Sequence, residues 1–301
     1  MERVLDLSKT PFNLDYTLNS GQVFKWEKMD GWWYGVVNDS ILKMKQMGNK
    51  LFFTIHPDRG IEFIYNYFRL DDNLPSILNS INKDPIINDA INRYYGLRLI
   101  RQDPWECLIS FICATNNKIP NIQRMIKRLS EGYGNKLKFE GKVFYTFPKP
   151  QSLAYANLDK LKSYGLGYRA KFVINAAKLV ASQELDLNKL IHLDYYTARE
   201  NLLTKHMNRK LLLGVGLKVA DCVLLFSLNK LNSFPIDVWI LRVIINFYNH
   251  LFDKDFITHI KEKRLNDWIY NKIAERMRAY FGDFAGYAQE YLYYYIRHKS
   301  F

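Results

Sequence analysis

Near residue 60 the spacing of the apolar residues in this 301-residue chain changes, and the change limits each part to a different kind of structure. Before it, the runs 22–29, 32–37, 41–47 and 50–56 are rich in aromatic and branched side chains and read as strands. Asp30-Gly31 and Gly48-Asn49 separate two pairs of these runs, and such dipeptides favour tight hairpins. After it, Ile61, Ile64, Tyr65 and Phe68 fall at helical spacing. Pro75-Ser76, Asp84-Pro85 and Asp103-Pro104 each read as the start of a helix. A strongly apolar helix is predicted over 105–115, ending in the polar run Asn116-Asn117-Lys118. Further helices are predicted over 122–133, 158–164, 169–182, 196–207, 218–228, 238–248 and 265–280. No internal repeat, low-complexity tract or long linker interrupts them. The expected fold is α+β, with an antiparallel sheet domain and flanking helices over 1–100. A helical region over 101–301, divisible into two subdomains, is expected to follow.

Charge is distributed unevenly between these parts. Residues 1–110 carry 13 basic and 14 acidic side chains, whereas the remainder carries 30 and 16, a net of +14. A basic helical region implies a polyanionic partner, with nucleic acid ahead of an acidic membrane. Cys107, Cys113 and Cys222 form no paired framework and no C-x-x-C motif. They fit a reducing compartment and argue against zinc or an iron–sulfur cluster. The first residues lack the apolar core of a signal peptide, and no apolar run reaches membrane-spanning length. A soluble, intracellular protein is therefore expected.

Within the basic part, two segments have a G-x-G pattern: Gly165-Leu166-Gly167 and Gly214-Val215-Gly216. A dinucleotide fingerprint needs a preceding strand, and both follow helical patterns instead. A glycine pair between two helices lets backbone amides approach an anion, and the following helix N-terminus adds positive potential. In a basic region a DNA phosphate is the natural ligand. Leu213-Gly214-Val215-Gly216-Leu217-Lys218-Val219-Ala220-Asp221 has the helix-hairpin-helix form of this device, which alone indicates only backbone binding.

Lys218 adds chemistry to that hairpin. An amine held among apolar neighbours at the positive end of a helix is disfavoured as ammonium. A neutral amine can attack an electrophilic carbon and hold it as a Schiff base. Cys222 lies four residues on, on the same helical face. Asp237 follows Lys218 by nineteen residues and stands just before an apolar helix, where it reads as an N-cap. A capping carboxylate stays ionised and can stabilise positive charge on a sugar ring. The plainer readings are an ordinary surface lysine and a purely structural cap.

Taken in order, the blocks of the chain resemble the 8-oxoguanine DNA glycosylase/AP lyase family of helix-hairpin-helix glycosylases. The resemblance covers Phe12–Asp15 with Ser20–Trp26, Tyr67–Asp71, Gly96–Arg98, Arg101–Cys107 and Ser110–Asn117. It continues through Gly165–Ala170, the Lys218 hairpin, Pro235–Val238 and Ala285–Gln289. It implies that Lys218 attacks C1′ of the damaged nucleotide, displaces the base and forms a Schiff base that permits β-elimination. Asp237 would stabilise oxocarbenium character. The base must leave the duplex to be reached. Gly21 matches the glycine whose carbonyl reads the N7 proton of oxidised guanine, and is otherwise a turn glycine. Cys222 and Tyr293 match the pair that sandwiches the base, with tyrosine where phenylalanine is frequent, a change that preserves stacking. Gln289 matches the reader of the Watson–Crick edge. Tyr293 also fits ordinary packing within its tyrosine-rich run.

Asn116, Tyr168 and Arg169 match the group that fills the gap left by the base and contacts its orphaned partner. Asn116 also fits a helix stop, and Tyr168 a core residue. Asn121 stands where the family usually has an arginine reading the opposite cytosine. An amide lacks the guanidinium's donor fork, so relaxed opposite-base preference is expected. Trp239 replaces a phosphate-contacting histidine and is similar to the alkylated-base glycosylases. The resemblance implies no required cofactor or metal, and is compatible with a structural cation on the hairpin's backbone carbonyls. Double-stranded DNA containing oxidised guanine is the expected partner and a monomer the expected state. Two alternatives remain at this point. A monofunctional alkylated-base glycosylase would lack the lysine, and a non-catalytic DNA-binding protein would leave Lys218, Asp237 and the Gly21 block without a role.

Overall fold

The computed structural model describes residues 2–203, 205–206, 209–262 and 265–298. A five-stranded antiparallel sheet runs in the order β1 (Arg3–Asp6), β5 (Lys50–His56), β4 (Ser40–Met47), β3 (Trp32–Val37), β2 (Glu27–Met29). Two-residue hairpins join β2 to β5 in succession, and Asp30, Gly31, Asn38 and Gly48 take the positive φ such turns require. Leu42, Met44, Leu51 and Phe53 have no exposed surface and pack with Phe12, Leu14, Ile64 and Phe68.

Two differences from the expected strands have local causes. The strand expected over 22–29 is confined to β2 because Gln22 is buried in a loop-locking role. Its Nε2 donates to Thr17 O (3.2 Å), Ser20 Oγ (3.0 Å) and Arg98 O (2.9 Å), while Oε1 accepts from Ile100 N (2.7 Å). These bonds satisfy a buried amide that no sheet ladder could accommodate there. β1 escapes the pattern because it is four residues long and gains its pairing from β5, with Leu5 opposite Leu51.

The helical region is built on α1 (Pro104–Ala114), α2 (Ile119–Tyr133), α3 (Arg169–Ala181), α4 (Leu217–Ser227), α5 (Val238–Phe247) and α6 (Ala285–His298), with further helices between them, among them the helix Asp267–Phe281. Asp103 caps α1 by accepting from Glu106 N at 2.8 Å. The helix expected over 196–207 spans Tyr195–Leu203, and its expected last residue, Met207, lies outside the described residues. A hairpin, β6 (Lys136–Phe139) and β7 (Lys142–Tyr145), stands where no strands were expected. It reaches back to the sheet, stacking Phe139 on His56 at 5.5 Å and Phe144 on Tyr34 at 5.9 Å. The helices Leu74–Ile81 and Pro85–Arg93 also cross between the parts, burying Ile77, Ile81, Ile87 and Ile91 in the helical core.

Candidate active site

A cleft of about 1410 Å³ opens where α1, α2, α4, α5 and α6 meet the loop carrying Gly21. Gly214 and Gly216 shape its hairpin wall in different ways. Gly214 has φ +78°, and a Cβ there would collide with the ring of Phe172. Gly216 has φ −103°, faces open space and forms the N-cap position of α4. Val215 between them is buried and does not line the cleft.

Lys218 lies in the first turn of α4, half-buried, with its Nζ 5.1 Å from the centroid of Phe111. Phe111 stacks on Phe226 at 5.4 Å with ring planes 8° apart, and meets Phe24 edge-on at 6.0 Å. The amine thus rests on an aromatic floor that excludes water from one side. Asp237 caps α5, its Oδ1 accepting from Trp239 N and Ile240 N, each at 2.9 Å. The preceding amide, Ile236 N, donates to Tyr270 Oη at 3.2 Å, and Tyr270 in turn donates to Asp221 at 2.7 Å. Asp221 sits three residues after Lys218, also accepts from Tyr195 Oη at 2.8 Å, and pairs with Arg199 at 3.0 Å. A buried polar network therefore ties the lysine helix to the turn that presents Asp237.

Gly21, Cys222, Gln289 and Tyr293 all line the same cleft. Gly21 has φ +101°, and a Cβ there would lie 3.0 Å from Arg297 Nη1 and 3.4 Å from Tyr293 Cε1. The conformation favours glycine at this point, and the space beside it is tight. Burial pushes the Cys222 thiol up to about 12, so it presents a neutral, polarisable face. Gln289 is buried with its Oε1 lacking a partner.

Asn116 and Asn121 line the rim and are exposed, whereas Tyr168 and Arg169 do not line the cleft. Asn116 takes the left-handed conformation, φ +48°, just beyond the end of α1. Arg169 is buried behind it. Its Nε donates to Thr115 O at 3.1 Å and its Nη2 to Asn116 O at 3.3 Å, which fixes this turn. The guanidinium thereby caps the negative end of α1. Tyr168 is exposed and meets Phe172 edge-on at 5.7 Å.

The cleft contains functional candidates that the motifs did not single out: Phe111, Arg297 and Glu290. Glu290 had a signal, being the single charged residue in the helical run over 285–296, which is apolar and aromatic apart from Gln289. Among the described residues no group of three or more His, Cys, Asp or Glu could hold a metal ion. Nor, among them, is any helix long and apolar enough to cross a membrane.

Comparison with known proteins accounts for this architecture. The family model of the 8-oxoguanine DNA glycosylase N-terminal domain matches residues 4–108, and that of the HhH-GPD superfamily of base excision DNA repair proteins matches residues 109–268. The chain belongs to the HhH-GPD superfamily. Within it, an N-glycosylase/DNA lyase of Saccharomyces cerevisiae is 30% identical over 290 residues, 86% of this chain and 74% of that protein. MBOgg1, solved in complex with a low affinity DNA ligand, has a TM-score of 0.84 at 34% identity, covering 98% of this chain and 95% of that one. The 8-oxoguanine glycosylase/lyase of Clostridium acetobutylicum was solved in complex with double-stranded DNA containing cytosine opposite 8-oxoguanine. It has a TM-score of 0.83 at 29% identity, covering 96% and 92% of the two chains.

Proposed function

We propose that this chain is a bifunctional DNA glycosylase/AP lyase that excises 8-oxoguanine from duplex DNA in base excision repair. The observation that carries this reading is a half-buried amine on an aromatic floor, in a cleft that also presents a capped carboxylate. The damaged nucleotide leaves the stack and enters the cleft. As the C1′–N bond breaks, the base departs with the bonding pair and Asp237 stabilises the positive charge on the sugar. Lys218 Nζ bonds to C1′ and loses a proton, and ring opening gives the Schiff base. Loss of a C2′ proton then expels the 3′ phosphate. Cys222 and Tyr293 sandwich the base, the Gly21 carbonyl accepts its N7–H, and Gln289 reads its Watson–Crick edge. Asn116 and Tyr168 fill the gap, and Arg169 acts by holding the Asn116 turn. A cation on the hairpin carbonyls is compatible with every step and required by none. Borohydride trapping on duplex DNA containing 8-oxoguanine tests the whole sequence. A covalent complex is expected. Excision without trapping would favour a monofunctional enzyme, and binding alone a non-catalytic protein.

Two further outcomes follow from the site. Asn121 lacks the fork that selects cytosine, so excision opposite C, A, G and T is expected to vary within about tenfold. Strong selectivity for cytosine would contradict this. The two hairpin glycines should also separate. Gly214→Ala is expected to destabilise the fold by about 1–3 kcal/mol through its left-handed φ and the Phe172 collision. Gly216→Ala should melt like the parent yet bind DNA more weakly, because its methyl group occupies the side from which a phosphate approaches. Thermal melts and DNA titrations of both variants check the separation.

A further inference from the structure

Glu290 has no part in the proposed chemistry, yet its placement is costly. The side chain is 2% exposed, lines the cleft, and leaves Oε1 without a hydrogen-bond partner. A buried carboxyl oxygen normally finds a partner, because leaving one idle costs stability. Gln289 Oε1 is idle as well, so two adjacent residues of α6 present unused acceptors to one cleft.

The groups around Glu290 come from several elements. The Ser20 hydroxyl, which donates to Thr17 O at 3.1 Å, lies beside it on the Gly21 loop, Arg297 faces it from further along α6, and Asp237 faces it from the start of α5. Cys222 on α4 and Tyr293 on α6 are also close enough to feel its charge. Arg297 is committed elsewhere, donating Nη1 to Ser20 O at 3.1 Å and lying over the Tyr293 ring at 5.1 Å. Arg297 therefore holds the Ser20-Gly21 segment and Glu290 faces it, beside the carbonyl assigned to N7–H.

We propose that Glu290 is a further specificity-determining residue, whose free Oε1 shares the N7–H of the extruded 8-oxoguanine with the Gly21 carbonyl. This rests on the proposed function. Undamaged guanine has a lone pair at N7, which an ionised Glu290 repels. A protonated Glu290 instead offers that lone pair a donor, and the distinction weakens. Burial pushes the Glu290 carboxyl up to about 7, opposed by the Ser20 hydroxyl and Arg297 and reinforced by Asp237. The charged acceptor is therefore present above about pH 7 and lost as pH falls below it.

The test compares the parent chain with Glu290→Gln and Glu290→Ala between pH 6 and 9. Single-turnover excision of 8-oxoguanine is measured beside borohydride trapping on the same duplex carrying a preformed abasic site. The abasic site needs Lys218 but offers no base to read. Relative to abasic-site trapping, Glu290→Gln is expected to lower excision by about tenfold, since a charge-assisted bond becomes a neutral one, and Glu290→Ala further. In the parent this ratio should rise with pH through about 7, and in Glu290→Gln it should stay flat. An unchanged ratio, equal loss of both activities, or the same pH slope in parent and Glu290→Gln overturns the proposal. A parent that traps neither substrate overturns the proposed function itself.

Discussion

Replacing Lys218 by glutamine is expected to abolish borohydride trapping and to lower 8-oxoguanine excision by roughly 10³-fold or more, the scale on which loss of a nucleophile acts. Glutamine has no amine to form an imine, so no reducible intermediate can accumulate. The substitution is otherwise mild. Its shorter chain still covers the ring of Phe111, and the contact given up is one cation–π pair of about 0.5–1 kcal/mol. Nothing in the Asp221–Tyr270–Ile236 network depends on the amine, so the turn that presents Asp237 should stay in place. A thermal melt close to the parent's, with DNA binding retained, should therefore accompany loss of chemistry. Equal trapping by the two proteins would remove Lys218 from the role of nucleophile.

The legible parts of the fold and site are those decided by neighbours in sequence. Asp103 and Asp237 announce helix starts because a cap bonds to amides two or three residues away. Asp30-Gly31 announces a hairpin because its backbone demand is local. The lysine hairpin is legible for the same reason. Interactions across long separations are not. β1 exists because β5, more than forty residues later, supplies its ladder. Gln22 looked like a strand residue because its partners near Arg98 and Ile100 are distant in sequence. The sequence position of Arg169 suggests a DNA-facing residue, yet its guanidinium turns inward to the end of α1, over fifty residues away. Glu290 carries no motif, since its significance lies in an oxygen that the surrounding elements bury without satisfying.

Asp237 offers the sharper separation of structure from chemistry. Asp237→Asn is expected to preserve the fold and to lower excision by about 10²–10³-fold. Asparagine caps helices about as well as aspartate, so its side-chain oxygen can keep the bonds to Trp239 N and Ile240 N at a cost below about 0.5 kcal/mol. What disappears is the charge proposed to face the sugar as the base departs. Asp237→Ala removes charge and cap together, adding about 1 kcal/mol of destabilisation and a melt lowered by a few degrees. A preformed abasic site has no glycosidic bond to break, so trapping on it should fall less than excision in both variants. If Asp237→Asn excised at the parent rate while Asp237→Ala did not, the carboxylate would be a cap and nothing more. If the two variants lose excision alike while only the alanine loses stability, the charge itself is what the reaction uses.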